Sequence, residues 1–189
     1  MYKLPFDAIV IQEIIAETLP DLIIETGTAK GGSALFYASI MEMLGTLGTV
    51  VTIDIISEIP EDVLKARACS RIKFIEGSSI TPRVVEQVRQ LASGKKCMVI
   101  LDSWHSYDHV CKELELYAPF VSKGCYLIVE DSHVSGHPVE WSYGPGPFEA
   151  IWDFLKLNSE FQIDFRREKH LMTFNPCGYL LRWKDPHVL

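Results

Sequence analysis

Apolar positions along this chain follow two alternating rhythms. Short, nearly uninterrupted apolar runs occur at Leu22–Ile24, Val50–Ile53, Ile72–Ile75, Cys97–Leu101 and Cys125–Val129. Runs of that length predict strands covered on both faces, as in a parallel sheet. Between them lie longer stretches in which apolar residues recur at helical spacing. These predict helices over Ala8–Leu19, from Ser33 to about Leu44, from Pro60, from Pro82, over Ser106–Pro119, and from Pro147 through Phe148, Ile151, Trp152 and Leu155. In the fourth of these, Val84, Val85, Val88 and Leu91 share one face, and Thr81 stands at the cap position. Gly45, Gly48 and Gly94 break the pattern where helices must end. Two strand-like pieces close the chain, at Phe161–Phe165 and Gly178–Trp183, and predict a terminal antiparallel hairpin. The alternation gives an α/β, Rossmann-like fold, with a mostly parallel seven-stranded sheet and helices on both faces. Residues 1–189 read as a single domain.

The first strand runs into Glu25-Thr26-Gly27-Thr28-Ala29-Lys30-Gly31-Gly32-Ser33. Gly27 permits a sharp turn, and Gly31 and Gly32 permit close approach of a ligand to the backbone. A strand, a glycine turn and a helix start make the nucleotide-binding corner of an open α/β sheet. The spacing Glu-x-Gly-x-x-x-Gly-x-Ser departs from the dinucleotide fingerprint. It resembles the motif of class I S-adenosylmethionine-dependent methyltransferases, which bind an adenosyl ligand without phosphates. A glycine turn in an α/β domain that holds no nucleotide is the plainer alternative.

Each predicted strand ends in a carboxylate: Glu25, Asp54, Glu76, Asp102 and the pair Glu130-Asp131. In a parallel sheet these ends share one edge, where ligands bind. An acidic rim of this kind calls for a cation, and both a sulfonium cofactor and a divalent metal answer that description. Asp54 closes the second strand, where an acid accepts the ribose hydroxyls of an adenosine; a loop-starting aspartate is the alternative. Glu25 orients the backbone of the turn or reaches the amino-acid end of the cofactor through water. Ser78 and Ser79 follow the third strand, where their hydroxyls meet an adenine.

Asp102, Glu130 and Asp131 end consecutive strands joined by one helical crossover, so they are expected as neighbours. Hard oxygen ligands without a cysteine or a histidine cluster point to Mg²⁺, Ca²⁺ or Mn²⁺. The alternative is that Asp131 caps a turn and Glu130 bonds local backbone. His105, three residues after Asp102, is placed to take a proton from a substrate hydroxyl held at that metal, or simply to start a helix. His133 and His137 read as loop histidines. Trp104 and Trp141 are candidates for shaping a substrate pocket or for packing.

Composition narrows the classes. A net charge of −7, with no basic cluster, argues against nucleic acid as the main partner. No apolar run has the length of a membrane span. The five cysteines form no C-x-x-C pair, which fits a reducing, cytoplasmic setting. No signal-peptide layout opens the chain. An iron oxygenase is disfavoured, because no H-x-D with a distal histidine is evident.

Taken together, Ile24–Thr28 with Gly31-Gly32-Ser33, Leu101-Asp102-Ser103-Trp104-His105-Ser106, Val129-Glu130-Asp131-Ser132 and Tyr143-Gly144-Pro145-Gly146-Pro147 resemble the cephalosporin hydroxylase family. Its members have the class I methyltransferase fold and include rhamnosyl O-methyltransferases. The resemblance runs from about Pro5 to Trp183, although family members often carry further helical residues at the N-terminus. It implies S-adenosylmethionine at the glycine corner, on Glu25, Gly27, Thr28, Gly31, Gly32, Ser33, Asp54, Ser78, Ser79 and Asp102. It implies Mg²⁺ on Asp102, Glu130 and Asp131, with His105 as base and Asp102 beside it in catalysis. The expected reaction is methyl transfer to a hydroxyl of a small molecule, a sugar or natural product, with residues 134–147 closing over it. Homo-oligomerisation is left open. Two other classes remain: a metal-dependent hydrolase or hydroxylase on the same carboxylates, and a non-catalytic adenosyl-binding module.

Overall fold

The computed structural model describes residues 3–56, 58–142 and 144–185; Tyr143 of the loop motif lies outside them. Seven strands form one sheet: β1 (Leu22–Thr26), β2 (Thr49–Asp54), β3 (Ile72–Glu76), β4 (Cys97–Leu101), β5 (Tyr126–Val129), β6 (Phe161–Ile163) and β7 (Tyr179–Arg182). Their order is β3-β2-β1-β4-β5-β7-β6. The first five run parallel, and β7 is antiparallel to both of its neighbours. The expected terminal hairpin is present, with β7 inserted between β5 and β6.

Every residue of β1, β4 and β5 is buried, which requires cover on both faces and explains their unbroken apolar runs. Six helices are described: α1 (Pro5–Thr18), α2 (Gly32–Met43), α3 (Glu61–Lys65), α4 (Pro82–Ala92), α5 (Tyr107–Tyr117) and α6 (Pro147–Leu157). Helix α1 packs on α2, and α5 packs on α6. Ile11, Ile14 and Ile15 of α1 and Val84 and Val88 of α4 are sealed in the core. Each such side chain stabilises the fold by about 1.5–3 kcal/mol. None of the described helices is long and apolar enough to cross a membrane.

Three local expectations shift. Helix α1 starts at Pro5 rather than Ala8, because proline's fixed φ suits a first helical position. The helix expected from Pro60 is one short element, α3, with no buried residue to hold more turns. Thr81 does not cap α4 through its side chain; its hydroxyl donates to the Ser78 carbonyl instead, tightening the turn after β3.

The strand order reverses between β1 and β4. From β1 the chain steps outward through β2 and β3, then returns to β4 on the other side. The crevice above the strand ends at such a reversal is where an open α/β sheet receives ligands.

Candidate active site

The corner after β1 is held by backbone geometry that only glycine satisfies. The Gly27 N–H donates to the Ile53 carbonyl, while the Asp102 N–H donates to the Thr26 carbonyl, drawing the ends of β1, β2 and β4 together. Gly27 has φ +89°, and a Cβ there would lie 1.8 Å from the Asp102 carbonyl oxygen. Gly31 caps α2 in the left-handed region, at φ 72°. Asp54 ties this turn to β2: one carboxylate oxygen accepts from the Ala29 N–H at 2.8 Å, the other from the Ile55 N–H at 2.7 Å. Each oxygen keeps a lone pair for a ribose hydroxyl.

Above the corner lies a cleft of about 480 Å³. Gly27, Thr28, Gly32, Ser33, Asp54, Ser78 and Ser79 line it at one end, and Asp102, His105 and Asp131 at the other. The acids and the glycine corner therefore share one cavity, as the strand-end argument requires. Trp104 stands exposed at its mouth.

Not every expected residue faces this cleft. Glu25 is the second-last residue of β1 and lies under the floor, fully buried. Its Oε2 accepts from the Thr52 hydroxyl at 2.7 Å, which is itself 2.7 Å from the Thr28 hydroxyl. Because Thr52 donates to Glu25, Thr28 is the donor to Thr52, so Glu25 acts on the turn through two threonines, and on the cleft only through Ser33, which lines it. Burial pushes its carboxyl up to about 7, against the opposing pull of Lys3 and its hydrogen bonds. Gly31 turns toward Ile59 and Val63. Glu76 is exposed and outside the cleft lining. Trp141 lies against Gly136 of its own loop. His133 stacks on Phe174, and His137 stacks on Phe148 and bonds Glu149 at 2.6 Å, so both are loop histidines.

At the acidic end, Asp102, His105 and Asp131 place ligand atoms within 4.8 Å of one another, a grouping able to hold a metal ion. His105 Nε2 is 3.2 Å from Asp131 Oδ2 and 4.0 Å from Asp102 Oδ1. Asp131 adopts φ 54°, a left-handed conformation rare outside glycine, and its N–H donates to the buried Asn175 side chain at 3.0 Å. Such strain at a strand end aims a side chain.

Glu130 departs from the expectation of three facing carboxylates. It turns beneath the cleft, where its Oε2 lies 2.5 Å from the Lys3 ammonium. The same ammonium is 2.8 Å from Asp102 Oδ2. The physical reason is alternation: consecutive residues at a strand end point opposite ways, so Asp131 takes the cleft and Glu130 the interior. Burial raises the Glu130 and Asp102 carboxyls, Asp102 and Glu130 repel each other, and Lys3 counteracts both effects. Burial alone would depress the Lys3 amine, but Tyr37, Glu130, Asp102 and Glu25 hold it protonated above the ordinary lysine range.

A divalent cation fits these residues on three grounds. Two of the three grouped donors, Asp102 and Asp131, offer hard oxygens, a positive group already sits between Asp102 and Glu130, and Glu130 Oε1 is buried without a hydrogen-bond partner among the described residues. An adenosyl ligand fits the other end, where Asp54 and the serines line an open cleft beside a glycine that tolerates no side chain.

Two groups escaped the sequence reading. Lys3 belongs to no motif in the sequence; its one hint is that so many acids need a counter-ion. His109 lines the cleft, with Nε2 at 3.1 Å from the Ser103 hydroxyl, which donates to the buried Glu113 at 2.8 Å. Its signal was the spacing to Glu113 on one helical face.

A family model described as rhamnosyl O-methyltransferase/CmcI matches residues 1–183. A rhamnosyl O-methyltransferase of Mycobacterium tuberculosis is 41% identical over 175 residues, covering 90% of this chain and 71% of that protein. Its namesake from Mycobacterium leprae is 40% identical over 175 residues, covering 90% and 75%. Among solved structures, CmcI with Mg and SAM superposes with a TM-score of 0.73 at 18% identity, covering 97% of this chain and 74% of that one. The O-methyltransferase TomG from Streptomyces achromogenes, in complex with SAM, gives 0.67 at 15%, covering 97% and 82%. At these identities the structures establish the fold: that of class I methyltransferases.

Proposed function

Because this chain belongs to the rhamnosyl O-methyltransferase/CmcI family, we infer that it transfers a methyl group from S-adenosylmethionine to a hydroxyl oxygen of a small molecule, assisted by Mg²⁺ or another divalent cation. The observation that carries this reading is the single cleft that joins the glycine corner and Asp54 to Asp102, His105 and Asp131. S-adenosylmethionine would supply an electrophilic methyl on a sulfonium, and a divalent cation would lower the pKa of the accepting hydroxyl.

The chain's own residues do the rest. Gly27 and Gly32 would let the cofactor approach the backbone, Asp54 would receive its ribose, and Ser78 and Ser79 would offer hydroxyls to its adenine. Asp102 and Asp131 would hold the cation, and Glu130, the third carboxylate beside them, lies against Lys3. His105 Nε2, facing both cleft acids, accepts the proton from the hydroxyl, and the developing imidazolium is stabilised by Asp131 at 3.2 Å. The main contribution of the protein is orientation of the oxygen in line with the methyl. Trp104 at the mouth offers an apolar face to the acceptor.

The curated relatives are named for rhamnosyl acceptors, so a deoxysugar hydroxyl is the first acceptor class to try. All five cysteines are free, which suits a cytoplasmic enzyme. The test is transfer of radiolabelled methyl from S-adenosylmethionine to a panel of rhamnosides and phenolic glycosides, with and without a chelator. Chelator-sensitive labelling of a hydroxyl supports the reading. Cofactor binding without transfer to any acceptor favours a binding module, and metal-dependent turnover without the cofactor favours a hydrolase.

A further inference from the structure

The least expected feature of the molecule is a lysine inside its acidic centre. The Lys3 side chain is 2% exposed, that of Glu130 6%, and the ammonium bridges Glu130 Oε2 and Asp102 Oδ2. Lys3 stands just before α1, and 99 residues separate it from Asp102. The helix that carries it is fixed independently. Asp7, in the first turn, accepts from the Phe174 N–H at 2.8 Å and from the Tyr179 hydroxyl at 2.9 Å. The segment bearing Lys3 is thus anchored at Asp7, while Lys3 itself hangs from the two carboxylates.

Asp102 is shared. Its Oδ2 faces Lys3, and its Oδ1 faces His105. Glu130 is not shared: one oxygen is on Lys3, and the other, Oε1, is buried and without a hydrogen-bond partner among the described residues. An unpartnered buried carboxylate oxygen is costly, and a cation between Asp102 and Asp131 would relieve it only if Glu130 turned toward it. Charge points the same way. The ammonium and a divalent ion drawing on the same Asp102 and Glu130 oxygens would stand at short range in a buried site, where like charges repel strongly.

We propose that Lys3 is a built-in competitor of the divalent cation: its ammonium holds Asp102 and Glu130 in position, and it yields them and leaves its burial when a divalent cation takes those carboxylates. Lys3 is on this account a positioning residue of the site. It fills the place between Asp102 and Glu130 in the metal-free protein, and so sets how tightly a metal is held. The inference rests on the metal site proposed above.

Two measurements on the full chain test it. The first is Mn²⁺ titration followed by electron paramagnetic resonance in wild type, Lys3→Met and Lys3→Arg. Removing the competing charge is expected to tighten Mn²⁺ binding at least tenfold in Lys3→Met, with Lys3→Arg close to wild type. Equal or weaker binding in Lys3→Met overturns the proposal. The second needs no variant. Acetylation of Lys3 by a water-soluble succinimidyl ester, read by mass spectrometry, is expected to be slow without metal and at least tenfold faster with saturating Mg²⁺. Exposed Lys65 serves as the unchanged reference. Lys3 that stays protected in Mg²⁺ overturns the exchange even if Lys3→Met fails to fold. Wild type that binds no Mn²⁺ removes the metal site and this proposal together, whereas binding with Lys3 still protected removes the exchange alone.

Discussion

His105 and Glu25 carry opposite lessons about single residues. His105 stands where a base belongs, yet it is also close enough to Asp102 and Asp131 to serve as a ligand. The two roles separate experimentally. For a base, His105→Gln lowers kcat by roughly 10²–10⁴-fold, with Mn²⁺ affinity unchanged within a few fold. A parallel loss of Mn²⁺ affinity would mark it as a ligand instead. Glu25 never touches the cleft, but burial pushes its carboxyl up to about 7, from an ordinary value of 4.5. Between those values the folded protein holds a proton that the unfolded chain has released. Glu25 therefore makes stability fall as pH rises through that window, by at most about 1.4 kcal/mol per pH unit. Glu25→Gln keeps an acceptor for Thr52 and removes this slope. Denaturant unfolding between pH 5 and 8 should find the variant gaining on wild type as pH increases; a constant difference would contradict the burial argument.

At the scale of elements, the meeting of β1 and β4 decides whether a cleft exists. A methyl group at Gly27 would lie 1.8 Å from the Asp102 carbonyl, and that oxygen belongs to a backbone that cannot swing away. Gly27→Ala should therefore destabilise the fold by about 4 kcal/mol or more, or else part the two strand ends. Calorimetry with S-adenosylhomocysteine is expected to find binding lost. Wild-type affinity and stability in this variant would refute the close approach. The strands that build this junction were legible because a fully buried strand leaves an unbroken apolar run. The start of helix α3 was legible as well, from Pro60 and the two acids after it, whereas its early end was not. The insertion of β7 between β5 and β6 was equally hidden, since adjacency in sequence does not fix order in a sheet.

For the whole molecule, the edge at which the strands end was legible and the contents of that edge only partly so. Acids at the strand ends predicted one cleft, and Asp54, Asp102 and Asp131 occupy it together. Glu25 and Glu130 went beneath it, because a strand residue faces the cleft or the core by alternation, and a one-residue difference in where the strand stops exchanges the two. Lys3 could not be assigned from its neighbours in sequence, since the contact is made across the fold.

The central claim is that this cleft holds a divalent ion beside an adenosyl cofactor. It is tested most directly by diffraction at a manganese-sensitive wavelength, from crystals grown with Mn²⁺ and S-adenosylhomocysteine. The account predicts an anomalous peak about 2 Å from carboxylate oxygens of Asp102 and Asp131, with the adenosyl ribose on Asp54. Manganese bound elsewhere, or an adenosyl ligand absent from the cleft above Gly27, would contradict it.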